Sequence, residues 1–420
     1  MYQKLNGLWH HADFLRLWSG QTVSAFGSMV GRTAMSFTAI LFLHATPFQL
    51  GLLNAAELAP GFLVGLFAGA WVDRLRRRPM LIAADLARAL VLSSIPLAAL
   101  LGVLHIEQLY AVALLVSILS IIFNVAYQSY LPGLIDKNSI MEANSKLNAS
   151  AAVAEISGFS IGGWLVQIFT APFAILIDAI SFLVSAISIG LIHAREIKPP
   201  SINSSSLRQE IVSGLKLVFQ QSLLRAGAVS VLLQNLAGGI FGALVVLYMS
   251  RGLGFSPGLL GVIWAVGGLS SFLGAAFTPR ITSRLGSGPA MLLGLGVYGI
   301  SSLFVPLASG ATFLSVLFLI IQQLGDGFYI LYDINLVSLV QVLVDERMLG
   351  RVNATMQIIA IGASLFGALL GGLIGQTIGV RLSLLIAGAG ILLAVLVLAF
   401  SPLSKLKTAL EPASEANFAQ

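Results

Sequence analysis

Long runs of apolar residues limit the fold of this chain more than any other feature of its sequence. Twelve runs are each long enough to cross the hydrocarbon core of a membrane as an α-helix, which takes about 20 residues. They lie at about 17–43, 49–72, 79–103, 107–130, 145–169, 172–193, 223–249, 257–279, 289–308, 312–340, 352–375 and 380–400. Only 10% of the residues are charged, whereas a soluble domain carries about a quarter. The sequence therefore predicts an all-α integral membrane protein with twelve transmembrane helices.

Lysine and arginine are distributed unevenly between the two sets of joints that connect these helices. With the N-terminus inside, the inner segments hold about twenty basic residues, whereas the outer joints hold only Arg251 and Arg381. Cytoplasmic loops carry such an excess, so we expect both termini in the cytoplasm. The +6 net charge is then explained by a membrane surface, and we expect no nucleic-acid partner. The first run is too long for a signal peptide and should stay in the membrane.

The sequence also repeats itself at a nearly fixed offset of 210 or 209 residues. The repeat aligns Pro47 with Pro257, Gly51 with Gly261, Arg74 with Arg284, Gly162–Gly163 with Gly371–Gly372, and Gln167 with Gln376. Six predicted helices precede the longest polar stretch and six follow it. Because both sets begin on the inner side, we expect two parallel six-helix repeats with a substrate site near mid-membrane, as in many transporters.

The predicted organisation is an N-terminal half at 1–194, a linker at 195–222, a C-terminal half at 223–401 and a tail at 402–420. We expect the linker and the tail in the cytoplasm. In the linker, apolar residues follow at helical spacing, namely Leu207, Ile211, Leu215 and Val218. This spacing predicts an amphipathic helix on the inner membrane face, with a solvated loop as the alternative.

The stretch GAWVDRLRRRP, between the second and third helices, resembles the signature that the major facilitator superfamily carries at this joint. The matching residues are Gly69, Asp73, Arg74, Arg77 and Arg78, while Arg76 replaces a glycine. The second repeat has SRLGSGP, which keeps the glycine as Gly286 but has Ser283 in place of the aspartate. The resemblance implies the twelve-helix major facilitator fold, in which such residues bridge the two halves on the inner side.

We therefore expect gate residues at this joint and around it. The candidates are Gly69, Asp73, Arg74, Arg77, Arg78, Asp85, Arg88 and Arg284. A carboxylate can pair with an arginine or a helix N-terminus, and such a link breaks when the halves rock apart. The alternative is that the arginines only fix the topology, which we expect mainly for Arg76, Arg77 and Arg78.

Further stretches are similar to one bacterial branch of the superfamily. DFLRLWSGQTVSAFGS, LIAADLARAL, AILIDAISFLVSA and MLGRVNA resemble macrolide efflux proteins and enterobactin-type siderophore exporters. In the fifth helix, EISGFSIGG resembles a motif of the drug/proton antiporters, with Phe159 in place of a proline. The resemblance implies efflux, although Gly158, Gly162 and Gly163 are explained equally well by close helix packing.

Charged residues inside predicted membrane spans are costly, so each is a candidate for function. The candidates for proton coupling are Asp326, Asp333, Glu57 and Glu155. Asp326 and Asp333 share one face of the tenth helix, with Tyr329 between them. Two carboxylates in an apolar wall cannot both be ionised cheaply, which favours proton exchange by this pair. Polar packing is the alternative for the pair, and it is the expected role of Asp178.

The substrate cavity should be lined by the first, fourth, seventh and tenth helices. Polarity at membrane depth selects the candidate residues Gln21, Arg32, Asn124, Gln128, Gln234, Asn235 and Tyr329. Arg32 also needs a counter-charge, and a static pair with one carboxylate is the alternative to a role in the cavity.

Nucleotide-binding and metal-site motifs are absent from the sequence, so we expect no cofactor, no metal and no enzymatic activity. We expect a monomeric secondary transporter in the bacterial inner membrane, surrounded by lipid, which exports an amphipathic small molecule by alternating access in exchange for protons. A macrolide-like drug or a siderophore is the expected substrate. A lysophospholipid flippase or a nutrient importer of the same fold remains open, as does an integral-membrane enzyme or receptor.

Overall fold

The computed structural model describes residues 8–63, 75–136, 139–194 and 207–406, with side chains from residue 212 onward in the last range. These ranges contain helices and turns and no strand, which confirms the all-α fold. Eleven of the described helices are long and apolar enough to cross a membrane. The second predicted span begins in the helix Pro47–Leu63 and then runs into residues outside the described ranges.

The helices follow the predicted apolar runs closely. In chain order they are α1 Ala12–Phe37, α2 Pro47–Leu63, α3 Arg77–Leu100, α4 Ile106–Leu134, α5 Ile140–Phe169, α6 Ala171–Gly190, α7 Leu207–Gln220, α8 Ser222–Leu247, α9 Pro257–Leu285, α10 Ser287–Ser302, α11 Phe304–Leu307, α12 Phe313–Leu343, α13 Glu346–Thr377 and α14 Val380–Ala399. Helix α7 occupies the predicted linker, and α10 with α11 forms the ninth predicted span. Short 3-10 helices, Leu8–His10 and Pro402–Lys405, flank the series.

The backbone repeats at the same offset as the sequence. A π-helical turn extends α1 at Thr38–Phe42, and another extends α8 at Tyr248–Gly252, 210 positions later. Residues with positive φ recur at nearly the same offset, 208 to 210 residues apart. They form the pairs His44 (51°) and Gly254 (78°), Gly102 (71°) and Gly310 (65°), and Thr170 (65°) and Gly379 (94°). The two repeats therefore turn at equivalent places, and glycine occupies only some of them.

Thr170 occupies a backbone conformation that glycine holds in the second repeat. Its φ of 65° and ψ of 157° resemble the 94° and 150° of Gly379, a region that costs a β-branched residue about 1–3 kcal/mol. We expect Thr170→Gly to raise the thermal unfolding midpoint by a few degrees, because relief of strain exceeds the entropic cost of glycine. The reciprocal variant Gly379→Thr should lower it. If Thr170→Gly also lowers the midpoint, the strain is not present in solution.

The chain folds into two compact units. Unit 1 comprises Met1–Ala45, Ala56–Ser204 and Ser256–Ala265, and unit 2 comprises Thr46–Ala55, Ser205–Phe255 and Val266–Gln420. Most of each predicted half belongs to one unit, but the first turns of α2 belong to unit 2 and those of α9 to unit 1. The predicted end of the N-terminal half at residue 194 and start of the C-terminal half at residue 223 stay a prediction.

Close glycine contacts hold these first turns in place. In unit 1, a Cβ built on Gly163 of α5 would lie 3.0 Å from the Cα of Gly261 in α9. In unit 2, a Cβ built on Gly51 of α2 would lie 2.8 Å from the Cα of Gly372 in α13. Small residues permit such backbone approach in membrane proteins. The glycines that align in the sequence repeat thus form equivalent contacts in the two units.

Helix α7 occupies the place of the helix predicted in the linker, and only part of the predicted apolar side faces outward. Val218 is fully buried among Val344 and Val352 of unit 2 and does not face a membrane. Gly214 packs against the backbone of α13 at Arg351. The outward apolar residues are Val212, Leu215 and Phe219, which are 55%, 37% and 50% exposed. A helix with two apolar strips can pack one strip against the protein and leave the other outward. The spacing of apolar residues in a single sequence does not distinguish the two strips.

Candidate functional site

The joint after α2 contains the signature residues, and only its second part is described. Gly69, Asp73 and Arg74 lie outside the described residues, so their gate roles stay predictions. Arg77 Nη1 donates to the carbonyl of Ser129 in α4 at 2.8 Å. Arg78 donates to Ile189 and Gly190 at the end of α6, at 3.2 and 2.6 Å. Cations at a helix C-terminus satisfy unpaired carbonyls.

These contacts add helix packing to the topological role expected for the arginines. Arg77 and Arg78 join α3 to α4 and α6 within unit 1, beyond fixing the topology. Arg76 has φ −69° and extended geometry, whereas Gly286, its equivalent in the second repeat, has φ 88°. The missing glycine is therefore tolerated because this copy makes its turn without a left-handed residue. Arg284 is exposed at the end of α9.

Helix α3 contains a buried ion pair between two residues that are one helical turn apart. Arg88 Nη2 donates to Asp85 Oδ1, and the two residues are 5% and 0% exposed. The Arg88 guanidinium also lies 4.0 Å from the ring centroid of Phe182 and 4.4 Å from that of Phe123. Aromatic faces on both sides stabilise the cation. The pair is enclosed by α4 and α6 of its own unit, which favours an internal anchor over a gate that changes partners.

A polar cavity of about 250 Å³ lies in unit 1 beside this pair. Arg32, Glu57 and Asp178 line it from α1, α2 and α6, together with Ser120 of α4. Arg32 lies close enough to attract both Glu57 and Asp178. Asp178 also accepts hydrogen bonds from Ser28 at 3.2 Å and Ser181 at 3.4 Å. The structure thus gives Arg32 two counter-charges, and it places Asp178 at a cavity as well as in helix packing.

The two aspartates of α12 have different surroundings among the described residues, and the proton exchange predicted for them as a pair stays a prediction. Asp326 accepts a hydrogen bond from Gln322 at 3.1 Å and lies against Gly267 of α9. Asp333 lies two turns further along and lines a cavity of unit 2. Tyr329 lies between them and lines the cavity with Asp333. Each carboxylate therefore has its own surroundings, and each must be tested alone.

The cavity in unit 2 has a volume of about 290 Å³ and brings together several predicted residues. Its polar walls are Gln234 and Asn235 of α8, Tyr329, Tyr332 and Asp333 of α12, and Asn353 and Gln357 of α13. Gln234 is only 6% exposed, and its Oε1 has no hydrogen-bond partner among the residues that the structure describes. An unpaired buried acceptor is costly and marks a place where a ligand or water can donate.

The remaining predicted residues lie apart from these cavities. Gln21 donates to Ser185 at 3.0 Å and so joins α1 to α6. Asn124, Gln128 and Glu155 are exposed on α4 and α5. Gly158 and Gly162 pack on α1, next to Met29 and Thr33. This packing agrees with the interpretation of the fifth-helix glycines as sites of close helix approach.

Sequence reasoning missed some residues that line the cavities. Asn353 and Gln357 are one turn apart on α13, and Ser117 and Ser120 lie on α4. Uncharged polar residues are common in apolar helices because they bond to their own backbone. The only sequence feature that marks these residues is their spacing of about one helical turn. That spacing does not show which helices pack against each other.

The comparisons with known proteins decide the family. One sequence profile of the major facilitator superfamily, described as "Transmembrane secretion effector", matches residues 8–419. The chain belongs to this family. It is accordingly a multi-pass membrane transporter of the major facilitator type.

Members and relatives of the superfamily cover nearly the whole transporter. The MFS-type transporter YfiS of Bacillus subtilis is 28% identical over 89% of this chain and 89% of the relative. The multidrug efflux pump Tap of Mycolicibacterium fortuitum is 24% identical over 90% of this chain and 93% of the pump. Among solved structures, the nucleoside transporter NupG has a TM-score of 0.75 at 12% identity, covering 92% of this chain and 98% of its own. That likeness confirms the fold of the transporter.

Proposed function

We propose that this transporter exports an amphipathic small molecule across the bacterial inner membrane, in exchange for protons and by alternating access. The family description, which refers to secretion, supports export over import. The likeness to Tap, whose name gives multidrug efflux, supports a drug-like substrate. A flippase for lysophospholipids would share this fold, and it is the alternative to be tested.

The charge balance around the cavity of unit 1 is the observation that carries the proton coupling. Arg88 pairs with Asp85 and attracts Asp178, and Arg32 attracts Asp178 and Glu57. Among the described residues, the cluster has two guanidinium groups and three carboxylates. A surplus negative charge in a low-dielectric site is expensive, and one proton removes it. The cluster is thus suited to bind one proton reversibly.

Glu57 is the carboxylate that best fits this role. Asp85 is fixed by Arg88, and Asp178 accepts two hydroxyl hydrogen bonds, whereas the described partner of Glu57 is the charge of Arg32. Protonation of Glu57 would release Arg32 to Asp178 or to a substrate group. Proton binding on one side and substrate binding on the other would then favour different conformations, which is the requirement for exchange.

Transport into inverted membrane vesicles with an imposed pH gradient tests this proposal. The panel should include macrolides, siderophores, lysophospholipids and sugars. We expect a macrolide or a siderophore to accumulate only when the vesicle interior is acidic. Accumulation of lysophospholipid alone, or transport unaffected by the gradient, would reject proton-coupled drug export.

Glu57→Gln should abolish accumulation driven by the gradient and leave downhill exchange of the same substrate measurable. The amide keeps the shape of the side chain but cannot exchange a proton, so coupling is lost before binding is. Glu107→Gln is the matched control, because Glu107 is exposed in the first turn of α4. Uphill transport that survives in Glu57→Gln would move the coupling site to Asp326.

A further inference from the structure

The cavity of unit 2 differs in charge from that of unit 1. Asp333 brings a carboxylate to its wall, and no lysine or arginine of the described residues lines it. The cavity of unit 1, by contrast, contains Arg32 between its acids. A ligand that enters the cavity of unit 2 therefore meets a negative charge with no basic residue in the lining to balance it.

The hydrogen-bonding groups of this cavity are also unequal. Asn235 is satisfied, since its Nδ2 donates to Val231 at 2.9 Å and its Oδ1 accepts from Ser364 at 3.2 Å. Gln234 is nearly fully buried, and its Oε1 accepts no hydrogen bond from the described part of the chain. Asp333 is partly exposed at the cavity wall, and no described residue donates a hydrogen bond to its carboxylate. Two acceptors thus face the cavity in need of a donor.

Aromatic rings complete the lining. Tyr329 and Tyr332 lie with their centroids 6.0 Å apart, and both are close enough to interact with the charge of Asp333. Tyr332 is held in place by a 3.0 Å hydrogen bond between its hydroxyl and Ser230. Tyrosine faces attract organic cations, and most strongly where water is excluded.

We propose that this cavity binds the protonated amine of the transported molecule, so that the substrate class is organic cations. The ammonium group would pair with Asp333 and donate to Gln234 Oε1, while its apolar substituents contact Tyr329. A carboxylate at the same place would meet Asp333 as a like charge and leave the Gln234 acceptor unpaired. A volume of about 290 Å³ accommodates a head group with its nearest substituents rather than a whole drug. This inference rests on the proposed function, because it describes the cargo of the same transporter.

Two fluorescent probes with the same frame and opposite charges test this substrate class. Dansylcadaverine and dansyl-aminocaproate share a dansyl group and a five-carbon chain, and end in an ammonium and a carboxylate respectively. Their binding is measured by fluorescence titration of the purified full-length protein in detergent. We expect dansylcadaverine to bind more tightly than its carboxylate counterpart. Equal binding of the two, or preference for the carboxylate, would overturn the inference.

Variants then locate the binding at this cavity. Asp333→Asn should weaken dansylcadaverine binding by roughly tenfold or more, because the ammonium loses a partly desolvated charge partner. Asp333→Glu should restore part of the affinity, and Gln234→Leu should weaken binding severalfold. Asp345→Asn removes the same charge at an exposed helix cap and is the control. Full affinity in Asp333→Asn, with a normal thermal midpoint, would place the cation elsewhere.

The outcomes separate this inference from the proposed function. Binding in detergent needs no gradient and no transport. If dansylcadaverine binds through Asp333 but no vesicle assay shows export, the site stands and the direction of transport or its coupling is wrong. If export is observed but the carboxylate probe is preferred, the proposed function stands and the substrate class is wrong.

Discussion

Arg88→Leu is expected to remove most of the folded protein from the membrane. The substitution leaves Asp85, which is fully buried, without its guanidinium partner, and it leaves Asp178 with less attraction from its surroundings. Breaking a buried ion pair from one side typically costs about 3–5 kcal/mol, a large share of the stability of a typical fold. Membrane abundance, measured by immunoblot, and the thermal midpoint of purified protein would show the loss.

Two further variants show whether charge or shape is responsible. Arg88→Lys retains the charge but loses the planar contact with Phe123 and Phe182, so an intermediate midpoint is expected. The double variant Asp85→Asn with Arg88→Leu should recover part of the loss, because no charge of the pair then remains unpaired. Arg225→Leu, which removes an exposed guanidinium, should leave the abundance unchanged. Normal abundance of Arg88→Leu would mean that the buried pair contributes little.

The sequence predicted the fold because a membrane imposes simple rules on it. Every backbone group within the hydrocarbon must be bonded internally, so an apolar run of sufficient length becomes a helix. The ranges 107–130 and 380–400 accordingly became Ile106–Leu134 and Val380–Ala399. The repeat was visible because the close contacts need glycine, as at Gly163 and Gly372, and those positions align.

The surroundings of individual side chains could not be predicted in the same way. The spacing of Asp326 and Asp333 gave a common helix face, but the partners on that face differ. Gln322 bonds to Asp326, whereas Gln234 and Asn353 of other helices surround the cavity with Asp333. Which helices meet depends on packing between distant segments, and a single sequence contains no direct record of it. The same limit applies to Val218. Its helical spacing predicts a position facing the membrane, whereas the side chain packs against α13.

The two glycine contacts lead to a prediction about the proposed alternating access. Gly163 lies near the end of α5 and Gly261 near the start of α9, and Gly51 and Gly372 are placed equivalently in α2 and α13. With both termini in the cytoplasm, as the distribution of lysine and arginine predicts, all four would lie on the outer side. Because these contacts bring the backbone of one helix against that of another, each contact is either fully formed or open. In the proposed alternating access, we expect these contacts to act as an outer closure.

Gly261→Leu is expected to abolish transport while the protein still reaches the membrane. A Cβ at this position would lie 3.2 Å from the carbonyl carbon of Ser160 and 3.3 Å from its Cα, and backbone atoms cannot move aside as a flexible side chain can. The remainder of the leucine would keep α5 and α9 apart, so the closed arrangement is lost although each helix is intact. Gly51→Leu should act in the same way through α13. Gly190→Leu, at an exposed helix end with open space around it, is the control and should transport normally. Vesicle transport and membrane abundance are measured together for each variant. Normal transport by Gly261→Leu at equal abundance would show that this contact does not need to close, and the outer closure would then have to be sought on other helices.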